Sequence, residues 1–381
     1  MPPDRTGQDI PLSRITGAGP GPFHHAPVPE VHLGGGGLPW WQRVLVGVAG
    51  LALFVTALSL MKEGARSLIP ALEGSIFTDN GWSALGVGWL GACLVLSGSP
   101  VAASSLTLLD GGAIDRSQAF AMLTGSRLGA SFVVLVVGIV YAFRRKAGGR
   151  APLSIGVYSL TITALAYLPG AALGWWLLTD GHLDGIDLTV SPGVVSLTDT
   201  LFGWLPDLLV GVAPGWTLFP LGVAVLVGAF TCVDRVLPTV DSERVEARAQ
   251  RLADPWIMFG LGCLVAFLTL SVSVALTLLV PLVANGYVKR EDTIPYIAGA
   301  NITTLADTLV AAVLLGNADA VRVVLAEVAG VSAVTILLLA AAYPLIRRGA
   351  IAWAHVVLGS RRHLAAFVAV LLLTPMALIA V

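Results

Sequence analysis

Residues 257–284 read IMFGLGCLVAFLTLSVSVALTLLVPLVA, and this stretch decides the fold. It is largely apolar, with a polar interruption, Ser271-Val272-Ser273, near its centre. Each half, at about 14 residues, is too short to cross the hydrocarbon core as a helix that rises 1.5 Å per residue. We therefore predict a re-entrant hairpin made of a helix, a polar tip and a returning helix. Such a tip survives at membrane depth only where protein or a water-filled cavity satisfies its backbone.

A second stretch has the same design. Residues 82–109, WSALGVGWLGACLVLSGSPVAASSLTLL, are interrupted by Ser97-Gly98-Ser99-Pro100. An ungapped offset of 174 residues superimposes the two stretches. It pairs Trp82 with Trp256, Gly86 with Gly260, Gly88 with Gly262, Ser97 with Ser271, Ser99 with Ser273, Gly112 with Gly286, Arg116 with Arg290 and Gly125 with Gly299. Two apolar segments aligned by chance would match mostly Leu, Val and Ala, so the sequence predicts an internal repeat.

The composition of the chain indicates a membrane environment. Hydrophobic residues make up 56% and charged residues 12% of the 381 positions, whereas soluble domains carry about 25% charged residues. Apolar runs cover Val44–Met61, 82–109, 118–143, 152–178, 214–233, 257–284, 293–316, 320–346 and 363–381. We expect an all-α, multi-pass protein of the cell (plasma) membrane, with the lipid bilayer as its surroundings. The net charge of -1 gives no basic face for nucleic acid.

Loop charges indicate that the two copies are inverted. The loop Arg144 to Arg150 is basic without an acid, which predicts a cytoplasmic location at the end of copy one. Copy two ends at Gly316 to Asp319 without Lys or Arg, and the next helix is expected to finish at Arg347-Arg348. Inverted repeats whose broken helices meet near the midplane are typical of secondary transporters. Alternatively, the Ser and Gly residues of the repeat only pack helices.

This reading divides the chain into five segments. They are a disordered tail over 1–40, a first transmembrane repeat over 41–150, a connecting transmembrane segment and cytoplasmic linker over 151–255, a second inverted repeat over 256–346 and a C-terminal helix over 347–381. Each repeat is expected to contain a re-entrant hairpin and a broken helix. The two tips, 97–99 and 271–273, are expected to lie close together, approached from opposite sides.

Two stretches resemble the type II sodium-dependent phosphate cotransporter family. Residues 270–312, LSVSVALTLLVPLVANGYVKREDTIPYIAGANITTLADTLVAA, are similar to its second repeat, in which a QSSS tip is followed by GANIGTT. Residues 53–68, LFVTALSLMKEGARSL, look like its first helix and the amphipathic segment after it. The similarity covers roughly residues 50–145 and 255–345. It implies a pair of inverted repeats that bind sodium and phosphate between their hairpins.

The resemblance also implies site residues. Those that match the family pattern are Ser97 and Ser99 in the first tip, Ser271 and Ser273 in the second, and Gly299, Ala300, Asn301, Ile302 and Thr304 in the GANIGT signature. Two features depart from the pattern. Leu96 and Leu270 replace the tip glutamine, and the first signature carries Arg127 where the family has Asn.

The chemistry of these residues suits a small ion. The tip hydroxyls and the amides at helix N-termini can donate to a phosphate-like anion, and the same oxygens could hold a sodium ion. Asn301, Thr303 and Thr304 add the same mixed capacity. Arg127 is predicted either to contact the anionic substrate or to neutralise Asp307 as a structural pair, because an ionised side chain at membrane depth is costly. Asp307 is alternatively a cation or proton site.

These observations predict a secondary active transporter that couples inorganic phosphate or a similar anion to sodium or protons. The alternatives are a transporter of another oxyanion or an organic acid, and a membrane scaffold or sensor without transport. No tip combines paired carboxylates or a histidine with its serines, so the sequence indicates neither an enzyme nor a cofactor beyond a sodium ion. A homo-oligomer is compatible with the sequence.

Overall fold

The computed structural model of the chain describes residues 39–72, 80–144, 151–186, 214–236, 254–269, 271–284 and 288–381. Three predictions fall wholly or largely outside these residues. They are the disordered tail over 1–40, the basic loop that ends at Arg150 and the charged part of the linker before residue 254.

Every regular element in the described part of the chain is helical, which confirms the all-α class. The α-helices are α1 (Trp40–Leu72), α2 (Gly81–Val95), α3 (Ser99–Asp110), α4 (Arg116–Ala130), α5 (Phe132–Arg144), α6 (Ala151–Thr179), α7 (Gly215–Val236), α8 (Pro255–Thr269), α9 (Val272–Thr277), α10 (Leu279–Ala284), α11 (Thr293–Thr303), α12 (Leu305–Leu315), α13 (Ala318–Val357) and α14 (Arg361–Ile379). A short 3-10 turn, Arg290–Asp292, precedes α11.

Six segments of the described chain are long and apolar enough to cross a membrane. They are Val44–Ser67, Arg116–Ala142, Ala151–Thr179, Arg290–Leu315, Ala318–Val357 and Arg361–Ile379. The helices α2, α7 and α8 are apolar but shorter. Large hydrophobic side chains such as Leu94 and Leu337 stand on the outer surface, where lipid would cover them. The chain is therefore a multi-pass membrane protein.

Both predicted hairpins are interrupted at their polar residues. Helix α2 ends at Val95, and the chain turns through Leu96 and Gly98 before α3 begins. Leu96 has a φ of 56°, in the left-handed region that residues other than glycine seldom occupy. Helix α8 ends at Thr269, and the hydroxyl of Ser271 caps the next helix, α9. The predicted interruptions are confirmed.

Two further helices are broken at their centres. One is divided between Ala130 and Phe132, and the other between Thr303 and Leu305. Each first half packs against the first arm of a hairpin, α4 on α2 and α11 on α8. Glycines permit these close crossings, because an added Cβ would overlap a backbone carbonyl oxygen: that of Met122 at Gly88, of Leu85 at Gly125, of Tyr296 at Gly262 and of Phe259 at Gly299.

Long helices surround these hairpins and broken helices. Helix α1 packs along α7, α13 packs along α6, and α14 lies on α2. The contact between α6 and α13 is close, because Gly170 and Gly330 meet backbone atoms of the opposite helix. This contact matters for the site described below, since α6 and α13 both contribute side chains to it.

One predicted boundary is wrong. The sequence places the end of a helix at residue 346 and a C-terminal helix over 347–381, whereas α13 continues to Val357 and α14 spans Arg361–Ile379. The arginine at the expected boundary does not need a loop. Its guanidinium lies 3.9 Å from Glu291 and 4.0 Å from Asp292, so Arg347 is neutralised by the turn before α11 while the helix continues.

Candidate functional site

The two hairpin tips contact each other. The hydroxyl of Ser273 lies 3.5 Å from the backbone carbonyl oxygen of Leu96, to which it donates. These residues are 177 positions apart in the chain and belong to different hairpins. The predicted proximity of the tips is therefore confirmed.

The first tip lies against the last turn of α4. A Cβ added to Gly98 would come within 2.9 Å of the Ser126 carbonyl oxygen and 2.8 Å of the Ala130 Cβ, so glycine permits this close approach. Ser99 begins α3 and is buried, while Ser97 is partly exposed. No side chain caps the N-terminus of α3, and Pro100 in its first turn has no amide hydrogen to donate.

The second tip uses its serines differently. The Ser271 hydroxyl accepts from the Val274 amide at 3.3 Å and so caps α9. The Ser273 hydroxyl forms the contact to the first hairpin. Leu270, which replaces the family glutamine at this tip, lies outside the described residues. Each tip thus keeps a serine near the junction, Ser99 in the first and Ser273 in the second.

A buried charge pair lies behind the first tip. Arg127 donates from Nη2 to Oδ1 of Asp307 at 3.3 Å and from Nη1 to the Thr304 hydroxyl at 3.3 Å. It also contacts the Thr308 hydroxyl, which itself donates to Asp307 at 2.8 Å. Arg127 is 3% and Asp307 4% exposed. The structure therefore supports the pairing alternative, because these contacts occupy the guanidinium on two of its three nitrogens.

Helix ends favour this pair. Arg127 lies in the last turn of α4. Asp307 lies in the first turn of α12. A cation near a helix C-terminus and a carboxylate near a helix N-terminus are both stabilised by the helix dipole. The pair thus joins two helix ends of opposite polarity.

Two other predicted residues have different partners. The side-chain amide of Asn301 donates to the Thr163 hydroxyl at 3.0 Å, and its backbone carbonyl oxygen accepts from the Tyr167 hydroxyl at 2.7 Å. Both partners are on α6. The Thr303 hydroxyl donates to the Cys263 carbonyl on α8 at 3.0 Å. Among the described residues of the GANIGT signature, Thr304 is the one whose side chain contacts the charge pair, through Arg127.

Glu327 is not among the site residues that the sequence predicts. This residue of α13 is fully buried, and its Oε2 lies 2.9 Å from the hydroxyl of Thr124 on α4. Its Oε1 has no hydrogen-bond partner among the described residues. A signal was available, because a single carboxylate inside the apolar run 320–346 indicates function at membrane depth. Thr124 and Arg127 are three residues apart on α4, so Glu327 lies beside the charge pair.

Ionic clusters mark opposite ends of the protein. Arg116 lies 2.7 Å from Asp319, at the start of α13. Arg290 lies 3.5 Å from His355, near the end of α13. Asp110 ends α3 and pairs with Lys62 at 2.7 Å. Charged side chains therefore cluster at both ends of the bundle, apart from the buried group around Arg127.

No family model, curated protein or solved structure matches this chain. Function is therefore inferred from the contacts of the hairpin tips and of the buried charge pair.

Proposed function

We propose that this protein is a secondary active transporter that carries inorganic phosphate or a similar small anion across the cell membrane, coupled to sodium or protons. The observation that carries the proposal is the contact between the two polar tips, Ser273 with Leu96, beside the buried charge pair. Irregular, polar backbone of this kind is retained in membrane proteins where it lines a substrate or ion site.

Helix boundaries support an internal repeat. The first arms of the hairpins, Gly81–Val95 and Pro255–Thr269, correspond at both ends under the offset of 174 residues. Their N-caps also correspond: Asn80 and Asp254 each accept from the backbone amides two and three residues ahead. The four glycines at the helix crossings form two pairs with the same offset. Caps, arms and crossings thus recur together.

The contacts of two equivalent arginines support an inverted arrangement of the repeats. Arg116 and Arg290 are equivalent under the same offset, yet Arg116 contacts Asp319 and Arg290 contacts His355. Along a straight helix, 319 and 355 would be separated by about 50 Å, which exceeds the roughly 30 Å of a hydrocarbon core. Equivalent elements therefore start at opposite ends of α13, as inverted repeats require.

The anion would bind at the tips and not at Arg127. The Arg127 charge is balanced by Asp307, and buried pairs of this kind are disrupted at considerable cost. The tip groups that can donate to an anion are the Ser99 and Ser97 hydroxyls and the uncapped amides at the start of α3. The second tip adds Ser273, whose weak 3.5 Å bond to Leu96 is readily exchanged for a ligand.

A different oxyanion or an organic acid is the second candidate substrate. Leu96 and Leu270 stand where the similar family carries an amide side chain. Each replacement removes donors that could replace the hydration of a phosphate. Competition by unlabelled sulfate or a dicarboxylate would identify such a substrate.

Uptake of radiolabelled phosphate into proteoliposomes tests the proposal. Vesicles with the purified full chain are compared with protein-free vesicles under an inward sodium gradient, an inward proton gradient and no gradient. We expect gradient-driven accumulation that needs the protein. Phosphate uptake equal to that of empty vesicles in all three conditions would contradict the phosphate assignment, and the same result with sulfate and dicarboxylates would contradict transport of anions.

A further inference from the structure

Glu327 has no role in the proposed anion site. We propose that its carboxyl group binds and releases a proton inside the membrane-spanning core. Coupling of that proton to anion movement rests on the proposed transport function, whereas proton binding itself does not.

The surroundings of Glu327 favour a neutral carboxyl group. The residue has no exposed surface, and no arginine or lysine of the described chain forms a hydrogen bond or ion pair with it. A buried carboxylate that no cation contacts directly pays a large desolvation cost, which favours the acid form of Glu327. Oε1 has no hydrogen-bond partner among the described residues, so nothing there stabilises a negative charge on that oxygen.

The neighbouring threonine provides for both protonation states. The Thr124 hydroxyl lies 3.0 Å from the Phe120 carbonyl oxygen and 2.9 Å from Glu327 Oε2, but it has one hydrogen to donate. With Glu327 protonated, Glu327 donates to Thr124 and Thr124 donates to Phe120. When the proton leaves to water as hydronium, Thr124 turns its hydrogen to the carboxylate, and the Phe120 carbonyl keeps its bond within α4.

The nearby charges come from helices packed against α13. These helices bring Arg127 from α4, Asp307 from α12 and Tyr167 from α6 to the region of Glu327. Of the other titratable groups on the packed helices, Asp110 pairs with Lys62, Arg116 pairs with Asp319, and the Tyr296 hydroxyl donates to the Ala275 carbonyl.

Arg127 with Asp307 is neutral as a pair, so ionised Glu327 would leave a net charge of about -1 that one proton removes. A sodium ion would remove the same charge, but it needs several oxygen ligands. Among the described residues the carboxyl group has one hydrogen-bond partner, the Thr124 hydroxyl, which suits a proton held in a covalent O–H bond.

Infrared difference spectroscopy tests the proton site without substrate. The full chain, reconstituted in lipid without sodium or phosphate, is titrated with acid, and the carboxylic acid C=O band is recorded for the wild type, Glu327→Gln and Thr124→Val. We expect a band in the wild type, its loss in Glu327→Gln and a shifted frequency in Thr124→Val, which loses the hydrogen-bond partner. If Glu327→Gln does not fold, the band shift in Thr124→Val still tests whether Glu327 carries the proton.

Two results would overturn the proton site. One is a C=O band that is the same in the wild type and both variants. The other is loss of the wild-type band on replacing choline chloride with sodium chloride at constant pH, which would make this a sodium site.

Transport then separates the two proposals. In phosphate-loaded proteoliposomes, Glu327→Gln should keep phosphate exchange and lose accumulation driven by a proton gradient. Accumulation at the wild-type level in Glu327→Gln contradicts proton coupling at this residue. A Glu327-dependent infrared band in a protein that moves no phosphate upholds the proton site and contradicts the proposed substrate.

Discussion

Nη2 of Arg127 lies 3.3 Å from Oδ1 of Asp307, and this bond joins the end of α4 to the start of α12 across 180 residues of sequence. Both side chains are almost fully buried. The two helices follow the two hairpins in the chain, so the pair connects the halves of the molecule directly behind the first tip. Because the pair lies outside the proposed anion site, its contribution to stability can be measured independently of transport.

Removing either member of the pair should destabilise the protein. Arg127→Gln or Asp307→Asn leaves an uncompensated buried ion, at a cost of about 3–5 kcal/mol. The double substitution should recover much of that loss. Thermal unfolding in detergent, arranged as a double-mutant cycle, measures the coupling energy.

A surface pair supplies the control for this cycle. Arg66 and Glu63 lie 2.6 Å apart but are largely exposed, so Arg66→Gln should change stability by at most about 1 kcal/mol. Additive effects of Arg127→Gln and Asp307→Asn would show that the buried residues are not coupled.

The close helix crossings can be tested at two glycines. A side chain at Gly299 would overlap the Phe259 carbonyl oxygen, so Gly299→Ala should cost about 1–3 kcal/mol through overpacking. A Cβ added to Gly260, on the neighbouring helix α8, would meet no atom within 4 Å. Gly260→Ala should therefore fold like the wild type. Thermal stability and size-exclusion profiles give the comparison, and equal loss in both variants would contradict the crossing.

The inverted arrangement predicts opposite labelling of two equivalent positions. In a background without Cys93, Cys232 and Cys263, single cysteines at Arg116 and Arg290 should react with a membrane-impermeant maleimide from opposite sides of the membrane. Both side chains are about one-third exposed, which permits reaction. Labelling of both variants from the same side would exclude an inverted repeat.

Local features of the sequence predicted much of the fold and part of the site. The hairpins were predictable because each half of an interrupted apolar run is too short to cross the membrane alone. Ser271 marks the interruption in the second run. The alternative of an Arg127–Asp307 pair was predictable because an ionised side chain in an apolar segment is costly unless an opposite charge neutralises it. These inferences need only the composition of a single segment.

Other features depend on distant parts of the chain. Arg347 suggested a helix end, but its charge is balanced by Glu291 from the turn before α11, so α13 continues. The direction of the Thr303 hydroxyl is set by the Cys263 carbonyl on α8. The partner of Glu327 is Thr124, 203 residues away. Such contacts appear only when the helices are assembled.

The most direct measurement is gradient-driven uptake of labelled phosphate by the tip variants. Ser99→Ala and Ser273→Ala each remove a hydroxyl at the junction with little change in volume, and losing a hydrogen bond to a charged ligand costs about 1.5–3 kcal/mol. The control is Ser59→Ala, since Ser59 bonds only to the Val55 carbonyl within α1 among the described residues.

With equal amounts of folded protein, we predict an apparent phosphate affinity about tenfold or more lower in both tip variants. Ser59→Ala should match the wild type. Unchanged uptake kinetics in Ser99→Ala and Ser273→Ala would contradict the account and assign these serines to helix packing.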